Sequence, residues 1–329
     1  MHSILLARSA QNLFWLARYI ERAENLTRIL DVNATFSRDS RGARDWSPVL
    51  QLSADESRFF ERHAVASADA VLRFYVIDRA NPTSIVSAIG NARANAHALR
   101  PLISREMWSQ LNVFHNWLVV LDAEALAPGH LPRLLGEIKE ACQTHTGITE
   151  GTFYRDQGWY IYWLGRYLER ADQTTRLLDI KCQILLPQSS DVESSNDLDQ
   201  WNVLLRSAAG YHPYRRVQPD GVTPAGVASF LLQNPSFPRS VLLCASEAAR
   251  LLDELESKYG LQGGSGAVRR LAALCATLSS PTIDEILDQG LHEFLDLVQR
   301  KLVSVTNDLS AAFFGPSAGP GQHQDQLLE

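Results

Sequence analysis

Arginines and acidic residues recur together in two stretches of the chain, a combination that could bind an anion or transfer a proton. The first stretch reads NLFWLARYIERAENLTRILDV at 12–32, and the second reads YIYWLGRYLERADQTTRLLDI at 160–180. Guanidiniums clamp carboxylates and phosphates, and neighbouring carboxylates can accept an amine or a proton. The candidate site residues are Arg18, Glu21, Arg22, Glu24 and Arg28 in the first stretch, and Arg166, Glu169, Arg170, Asp172 and Arg176 in the second.

The second stretch matches the first residue by residue. The two stretches are offset by 148 residues. This offset aligns Glu21 with Glu169 and keeps the Trp, Tyr, Arg and Thr residues in register. The match continues downstream, where FYVIDRANPTSIV at 74–86 pairs with FLLQNPSFPRSVL at 230–242. Two unrelated amphipathic helices share only the spacing of their apolar residues, so identity of this extent predicts a tandem duplication.

Helical periodicity runs along the whole chain. Apolar residues recur at steps of three and four, whereas the alternation typical of β-strands is almost absent. Proline and glycine fall mainly between the periodic segments. We therefore predict an all-α fold, a tandem-duplicated helical bundle with pseudo-twofold symmetry. The first helical repeat is expected at 1–148, the second at 149–314 and a disordered tail at 315–329.

The repeated segment has the pattern of a helix that is buried on all sides. Apolar residues form one stripe, and the charged side is flanked by aromatic residues instead of polar ones. These aromatic flanks are Trp15 and Tyr19 in the first copy, and Trp163 and Tyr167 in the second. We expect the charges to be buried together with the aromatic rings.

Buried charges must compensate one another, because burying an unpaired charge costs several kcal/mol. The first copy carries three arginines and three carboxylates, and so does the second. Three oppositely charged pairs are three or four residues apart, within reach on a helix. They are Arg18 with Glu21, Glu24 with Arg28, and Arg28 with Asp31. The spacing predicts that each copy is locally neutral.

Two interpretations of the repeated charges stay open. In the first, the two helices cross at the pseudo-twofold axis and an Arg-Glu network fixes their register. In the second, the facing charges line a cleft that binds an anionic ligand or carries out catalysis. No metal site is expected, because no histidine follows a glutamate by three residues and the arginines would repel a dication.

The composition argues against several functional classes. With 31 Lys and Arg against 37 Asp and Glu, the net charge of −6 disfavours a nucleic-acid binder. No apolar run is long enough to cross a membrane or to act as a signal peptide. The cysteines lack a CxxC pair, so we expect reduced, buried thiols and a cytoplasmic protein. They are Cys142, Cys182, Cys244 and Cys275.

The twice-occurring motif WLxRYxERAxxxTRxLD, at 15–31 and 163–179, resembles that of the alpha-E family. This family is a bacterial helical domain named for its Glu-Arg motif and typically found as a tandem duplication. Further similar segments lie at 91–112 and from Thr152 onward. The resemblance covers nearly the whole chain except the tail.

The resemblance implies a context more than a reaction. Members are encoded beside circularly permuted ATP-grasp ligases and transglutaminase-like proteins, in systems proposed to synthesise or modify peptides. We therefore expect a non-catalytic partner or scaffold of an ATP-grasp ligase, without a cofactor. The alternatives are an enzyme or anionic-ligand-binding subunit that uses an Arg/Glu-lined cleft between the repeats, and a purely structural homo-oligomer.

Overall fold

The described part of the chain consists of helices joined by turns and loops. A computed structural model describes residues 5–39, 46–185, 195–260 and 264–315. These ranges contain no β-strand, so the all-α prediction is confirmed. A 3₁₀ turn at Glu124–Leu126 and a π-helical turn at Ser310–Phe314 accompany the α-helices. The α-helices are α1 (Ala7–Asp39), α2 (Ser47–Leu52), α3 (Glu56–Phe60), α4 (Ala68–Val76), α5 (Ile85–Ala98), α6 (Arg105–Leu118), α7 (Leu131–Thr152), α8 (Gln157–Leu185), α9 (Ser195–Ser207), α10 (Tyr211–Val217), α11 (Pro224–Gln233), α12 (Val241–Tyr259), α13 (Ser265–Ser279), α14 (Ile283–Gln289) and α15 (Leu291–Leu309).

Two long helices, α1 and α8, form the centre of the molecule. They carry the two copies of the charged motif and pack against each other. Helices α5 and α7 cover α1, while α12 and α15 cover α8. Leu13, Leu16 and Leu30 on α1 and Leu164 on α8 are fully buried, and each such side chain contributes about 1.5–3 kcal/mol. The predicted burial of the repeated helix is therefore confirmed.

Two of the helices that cover the centre, α5 and α12, begin at serine caps. Ser84 accepts a hydrogen bond from the backbone N–H of Ser87 at 3.2 Å, where α5 begins. Ser240 accepts one from the N–H of Leu243 at 3.1 Å, where α12 begins. Such a cap satisfies a donor that the first helical turn leaves free, and it stabilises the helix by about 1 kcal/mol. The caps fix where α5 and α12 start relative to the loops that precede them.

The two parts of the chain share an order of packing. Helix α5 contacts α1 and α6 in the first part, and α12 contacts α8 and α13 in the second. Helix α7 runs through the expected boundary at 148 and ends at Thr152, so the turn between the parts lies at 153–156. The duplication and its pseudo-twofold symmetry stay predictions. The expected disordered tail falls, after Gly315, outside the described residues.

Helices α1 and α8 approach each other closely at Gly165. A Cβ atom at this position would lie 2.4 Å from the backbone carbonyl oxygen of Phe14 on α1. The matching position of the first copy is Ala17, whose methyl group is buried without such a conflict. Glycine at 165 therefore sets the distance at which the two helices cross.

Candidate functional site

Glu21 of α1 accepts hydrogen bonds from arginines of the second part of the chain. Arg170 donates from Nε at 2.7 Å and from Nη2 at 2.8 Å, and Arg166 donates from Nε at 3.1 Å. Arg239 adds a bond from Nη1 at 3.0 Å. Glu21 is only 1% exposed, so protein donors replace water around this carboxylate.

Glu169 of α8 has the reciprocal arrangement. Arg22 donates to it from Nε at 2.7 Å and from Nη2 at 3.0 Å, and Arg18 donates from Nε at 2.7 Å. Gln173 adds a bond from Nε2 at 3.1 Å. Each motif glutamate therefore pairs with two arginines of the opposite helix. The two-pronged contacts of Arg22 and Arg170 are the strong form of an arginine-carboxylate pair.

Arg239, which lies just before α12, is a functional candidate that the sequence analysis missed. Its Nη2 donates to Glu24 at 2.8 Å, and its Nη1 also contacts Asn25. The alignment of 74–86 with 230–242 places Thr83 opposite Arg239, so the repeat did not mark this position as charged. The one signal was a lone arginine in a loop, and only the fold brings that loop beside α1.

Two further ion pairs join residues four apart on the same helix. Arg28 donates to Glu24 at 2.8 Å on α1, as the spacing predicted, and Arg176 donates to Asp172 at 2.9 Å on α8. They lie at corresponding positions of the two helices, next to the glutamate-centred contacts. All ten charged residues singled out in the sequence therefore meet around the crossing of α1 and α8.

Two of the local pairs predicted from spacing are wrong. Arg18 bonds to Glu169 across the crossing and not to Glu21, three residues away on its own helix. Asp31 pairs with Lys139 Nζ at 2.5 Å and not with the arginine three residues before it. Side chains on a buried helix have partners on every neighbouring helix, so spacing along one helix does not determine the pairing.

The charges do not sum to zero, contrary to the prediction of local neutrality. Seven guanidiniums meet four carboxylates around the crossing, a formal charge of +3. Asp31 and Asp179 are bound elsewhere, and Arg239 adds a positive charge. We call this group the crossed cluster. Its members are Arg18, Arg22, Arg28, Arg166, Arg170, Arg176, Arg239, Glu21, Glu24, Glu169 and Asp172.

The crossed cluster holds Glu21 and Glu169 ionised. Burial alone would raise the pKa of Glu169, but the guanidiniums of Arg22 and Arg18 lower it to about 2. Burial likewise opposes ionisation of Glu21, and Arg170 and Arg239 hold its pKa well below the usual range. A carboxylate with so low a pKa is a weak base at neutral pH. Neither glutamate is therefore suited to general-base catalysis.

The aromatic flanks contact the arginines of the crossed cluster. The Arg18 guanidinium lies 4.8 Å from the ring centroid of Trp15, and that of Arg166 lies 4.9 Å from Trp163. These rings in turn approach Tyr19, with 5.6 Å between centroids, and Tyr167, with 6.1 Å. Cation–π contacts of this kind contribute about 0.5–2 kcal/mol, so the flanks hold the guanidiniums in place.

Within the described residues, the histidines and cysteines show neither a metal site nor an activated thiol. Among the described residues, no cluster of three or more His, Cys, Asp or Glu side chains could hold a metal ion. Burial raises the pKa of Cys244 to about 12 and that of Cys142 well above its usual value. These thiols stay protonated at neutral pH and pack in the core. Cys275 is half-buried, and the side chain of Cys182 lies outside the described residues.

His145 of α7 is a buried histidine whose surroundings fit its neutral form. Its Nδ1 lies 2.9 Å from Oε1 of Gln110, and its Nε2 has no hydrogen-bond partner among the described residues. Burial, followed by the positive charge of Arg166, lowers the pKa of His145 to about 4. Protonation would add a charge and a second N–H at Nε2, which has no acceptor among the described residues.

We expect the free energy of unfolding to fall as the pH is lowered from about 6.5 to about 4. The unfolded chain takes up a proton on His145 at the higher pH, whereas the folded chain takes it up only at the lower one. The full shift of the His145 pKa corresponds to a loss of about 3 kcal/mol in the free energy of unfolding. The His145→Asn variant, which keeps a donor toward Gln110, should show a flatter pH dependence in urea unfolding. Equal slopes in both proteins would assign the effect to another group.

Comparisons with known proteins agree with this architecture. Residues 5–314 match the model of the Alpha-E family, described as a predicted alpha-helical domain with a conserved ER motif. Uncharacterized proteins of Mycobacterium bovis and Mycobacterium tuberculosis are each 24% identical to the chain over 339 residues. The alignment covers 92% of this chain and 36% of each relative, so the chain spans about a third of their length. No solved structure matches the chain.

None of the described helices is long and apolar enough to span a lipid bilayer.

The motif that the family description names occurs twice, as Glu21-Arg22 on α1 and Glu169-Arg170 on α8. In both copies the glutamate and the arginine belong to the crossed cluster. Because the family model matches nearly the whole chain, the chain belongs to the Alpha-E family.

Proposed function

We propose that this protein is a non-catalytic scaffold or partner subunit of a bacterial peptide synthesis or modification system, and that it acts in the cytoplasm with a circularly permuted ATP-grasp ligase. The observation that carries the proposal is the reciprocal pairing of the duplicated Glu-Arg motif. Glu21 and Glu169 are buried and bonded to arginines of the opposite helix. Such residues hold two helices together, so the family motif serves the architecture of the protein.

The size of the relatives supports a role beside another functional unit. In the mycobacterial proteins the matching region makes up 36% of the chain, so it is joined covalently to much further sequence. Interfaces between domains of one chain resemble transient interfaces between separate proteins, so a domain can meet its partner in either form. We propose the ATP-grasp ligase as the principal partner and a transglutaminase-like protein as a second one.

Co-expression with a circularly permuted ATP-grasp ligase from the same organism tests the proposal. A tagged chain is expected to retain the ligase through affinity purification and size-exclusion chromatography, and to change the rate at which the ligase hydrolyses ATP. The ligase purified without its partner serves as the control. Separate elution of the two proteins, together with an unchanged rate of ATP hydrolysis, would contradict the proposal.

A second candidate function, an enzyme or anionic-ligand-binding subunit, is favoured by the excess positive charge of the crossed cluster. Glu21→Gln and Glu169→Gln distinguish the two, since each keeps the side-chain shape and removes the charge. If the protein is a scaffold, each substitution should weaken its effect on the ligase only to the extent that it lowers the melting temperature. Loss of peptide product with an unchanged melting temperature and intact ligase binding would favour the enzyme.

A further inference from the structure

The crossed cluster contains a cavity on the side of α5. The cavity has a volume of about 50 Å³, whereas a single buried water needs about 10–15 Å³. There is therefore space for one small polyatomic group. Leu26, Ile29 and Leu52 form its apolar wall. Its polar lining consists of Arg18, Arg22, Ser53, Thr83, Asp172, Gln173 and Arg176.

The corresponding space on the side of α12 is filled by protein. There Arg239 extends between Glu21 and Glu24, and the carbonyl oxygen of Pro238 accepts a bond from Arg170 Nη1 at 3.2 Å. The loop before α12 thus supplies an acceptor to the guanidinium of the second motif copy.

The loop before α5 supplies no such acceptor. Thr83 occupies the position that the alignment pairs with Arg239, and its hydroxyl lies 2.6 Å from a carboxylate oxygen of Asp55 and 2.6 Å from Oδ1 of Asn81. Arg22, the counterpart of Arg170, has a buried Nη1 without a hydrogen-bond partner among the described residues. A buried donor of this kind is unfavourable unless a ligand or water satisfies it.

The charge around the cavity points to an anion. Arg18, Arg22 and Arg176 line it, but Asp172 is its one lining carboxylate and already accepts a bond from Arg176. The whole cluster carries three more guanidiniums than carboxylates. An oxyanion would supply both the missing negative charge and the missing acceptor, because carboxylate and phosphate oxygens match guanidinium donors.

We propose that this cavity binds a single oxyanion group, a carboxylate or a phosphate, which accepts a hydrogen bond from Arg22 Nη1 and pairs with Arg18 and Arg176. The remainder of a larger ligand would extend past Arg176, whose side chain is 19% exposed, whereas that of Arg18 is 10% exposed. The site is a property of the α5 side alone, since Arg239 fills its counterpart. The proposal goes beyond a scaffold role and does not depend on the identity of the partner.

Binding of acetate and of inorganic phosphate tests the site. Isothermal titration calorimetry and thermal melts are carried out on the full chain at constant ionic strength, with chloride as the balancing anion. At least one of the two probes is expected to raise the melting temperature above that in chloride. The stronger probe identifies the ligand group as a carboxylate or a phosphate. No response beyond chloride to either probe would overturn the proposal.

Thr83→Arg tests the location of the site. The variant places an arginine at 83, as the chain has at the matching position 239 on the α12 side. This side chain should fill the cavity and lower the affinity for the responding probe at least about tenfold. Asn91→Arg is the matched control, because it adds the same charge at an exposed position of α5 outside the cavity lining and should retain binding. Equal affinity in Thr83→Arg and the wild type would overturn the proposal.

Arg176→Gln tests the same site without filling it. The variant removes one guanidinium from the most accessible edge and should weaken binding about tenfold. Arg133→Gln is its control, since Arg133 is an exposed residue of α7 paired with Glu137. Undiminished binding in Arg176→Gln would show that the probe binds elsewhere, which would overturn the proposal even if Thr83→Arg does not fold.

Discussion

Glu21→Ala is expected to lower the free energy of unfolding by about 3–5 kcal/mol. The change removes the carboxylate that accepts bonds from Arg166, Arg170 and Arg239, and it leaves three buried guanidiniums without that partner. Glu169→Ala should act in the same direction but less strongly, because that carboxylate is bonded to two arginines. Urea unfolding monitored by circular dichroism measures both values.

The control for this prediction is Glu140→Ala, which removes an exposed carboxylate from α7. Surface changes of this kind usually alter the free energy of unfolding by less than about 0.5 kcal/mol. If Glu21→Ala were as mild as Glu140→Ala, the buried pairs would contribute nothing to holding α1 against α8. The interpretation of the Glu-Arg motif as an interhelical lock would then be wrong.

Gly165→Ala is expected to destabilise the protein by about 3 kcal/mol, the upper end of the usual range for overpacking. The new methyl group would lie 2.4 Å from the carbonyl oxygen of Phe14, and a backbone atom of a buried helix cannot rotate aside. Helices α1 and α8 would have to move apart, which would also stretch the bonds of the crossed cluster. Thermal melting of the purified variant measures the effect.

Gly147→Ala provides the matched control on α7. Apart from its chain neighbours and the backbone of its own helix, no atom lies within 4 Å of the Cβ position of Gly147, and this residue is exposed. Alanine is favoured over glycine in a helix by about 0.8–1 kcal/mol, so this variant should be stabilised. Stabilisation of both variants would show that the helices at 165 have space for a methyl group and that glycine does not set their spacing.

Much of the architecture follows from local pattern. The apolar residues around Arg18 and Glu21 predicted a helix buried on all sides, because a surface helix would have polar neighbours there. The recurrence of the motif at 163–179 predicted a second such helix. These inferences need only periodicity and identity, both of which are visible in one chain.

The pairing within the cluster could not be read from the sequence. Arg18 has a glutamate three residues away, yet it bonds to Glu169, since the partner depends on how two helices cross. Arg239 joins Glu21 from 218 residues away, a contact that exists only because a loop returns to the centre of the fold. Charges brought together by tertiary structure have no spacing rule along the chain.

The exchange of arginines between α1 and α8 means that the two parts of the chain are not separable bodies. Either part alone would expose an apolar helix and a carboxylate without its counter-charges. Two identical single copies would therefore have to form a homodimer to bury the helix and pair the carboxylate. Two identical copies would also carry the same loop residue on both sides. In this single chain the two sides differ, because Arg239 lies on one and Thr83 on the other, and only the side of Thr83 retains a cavity.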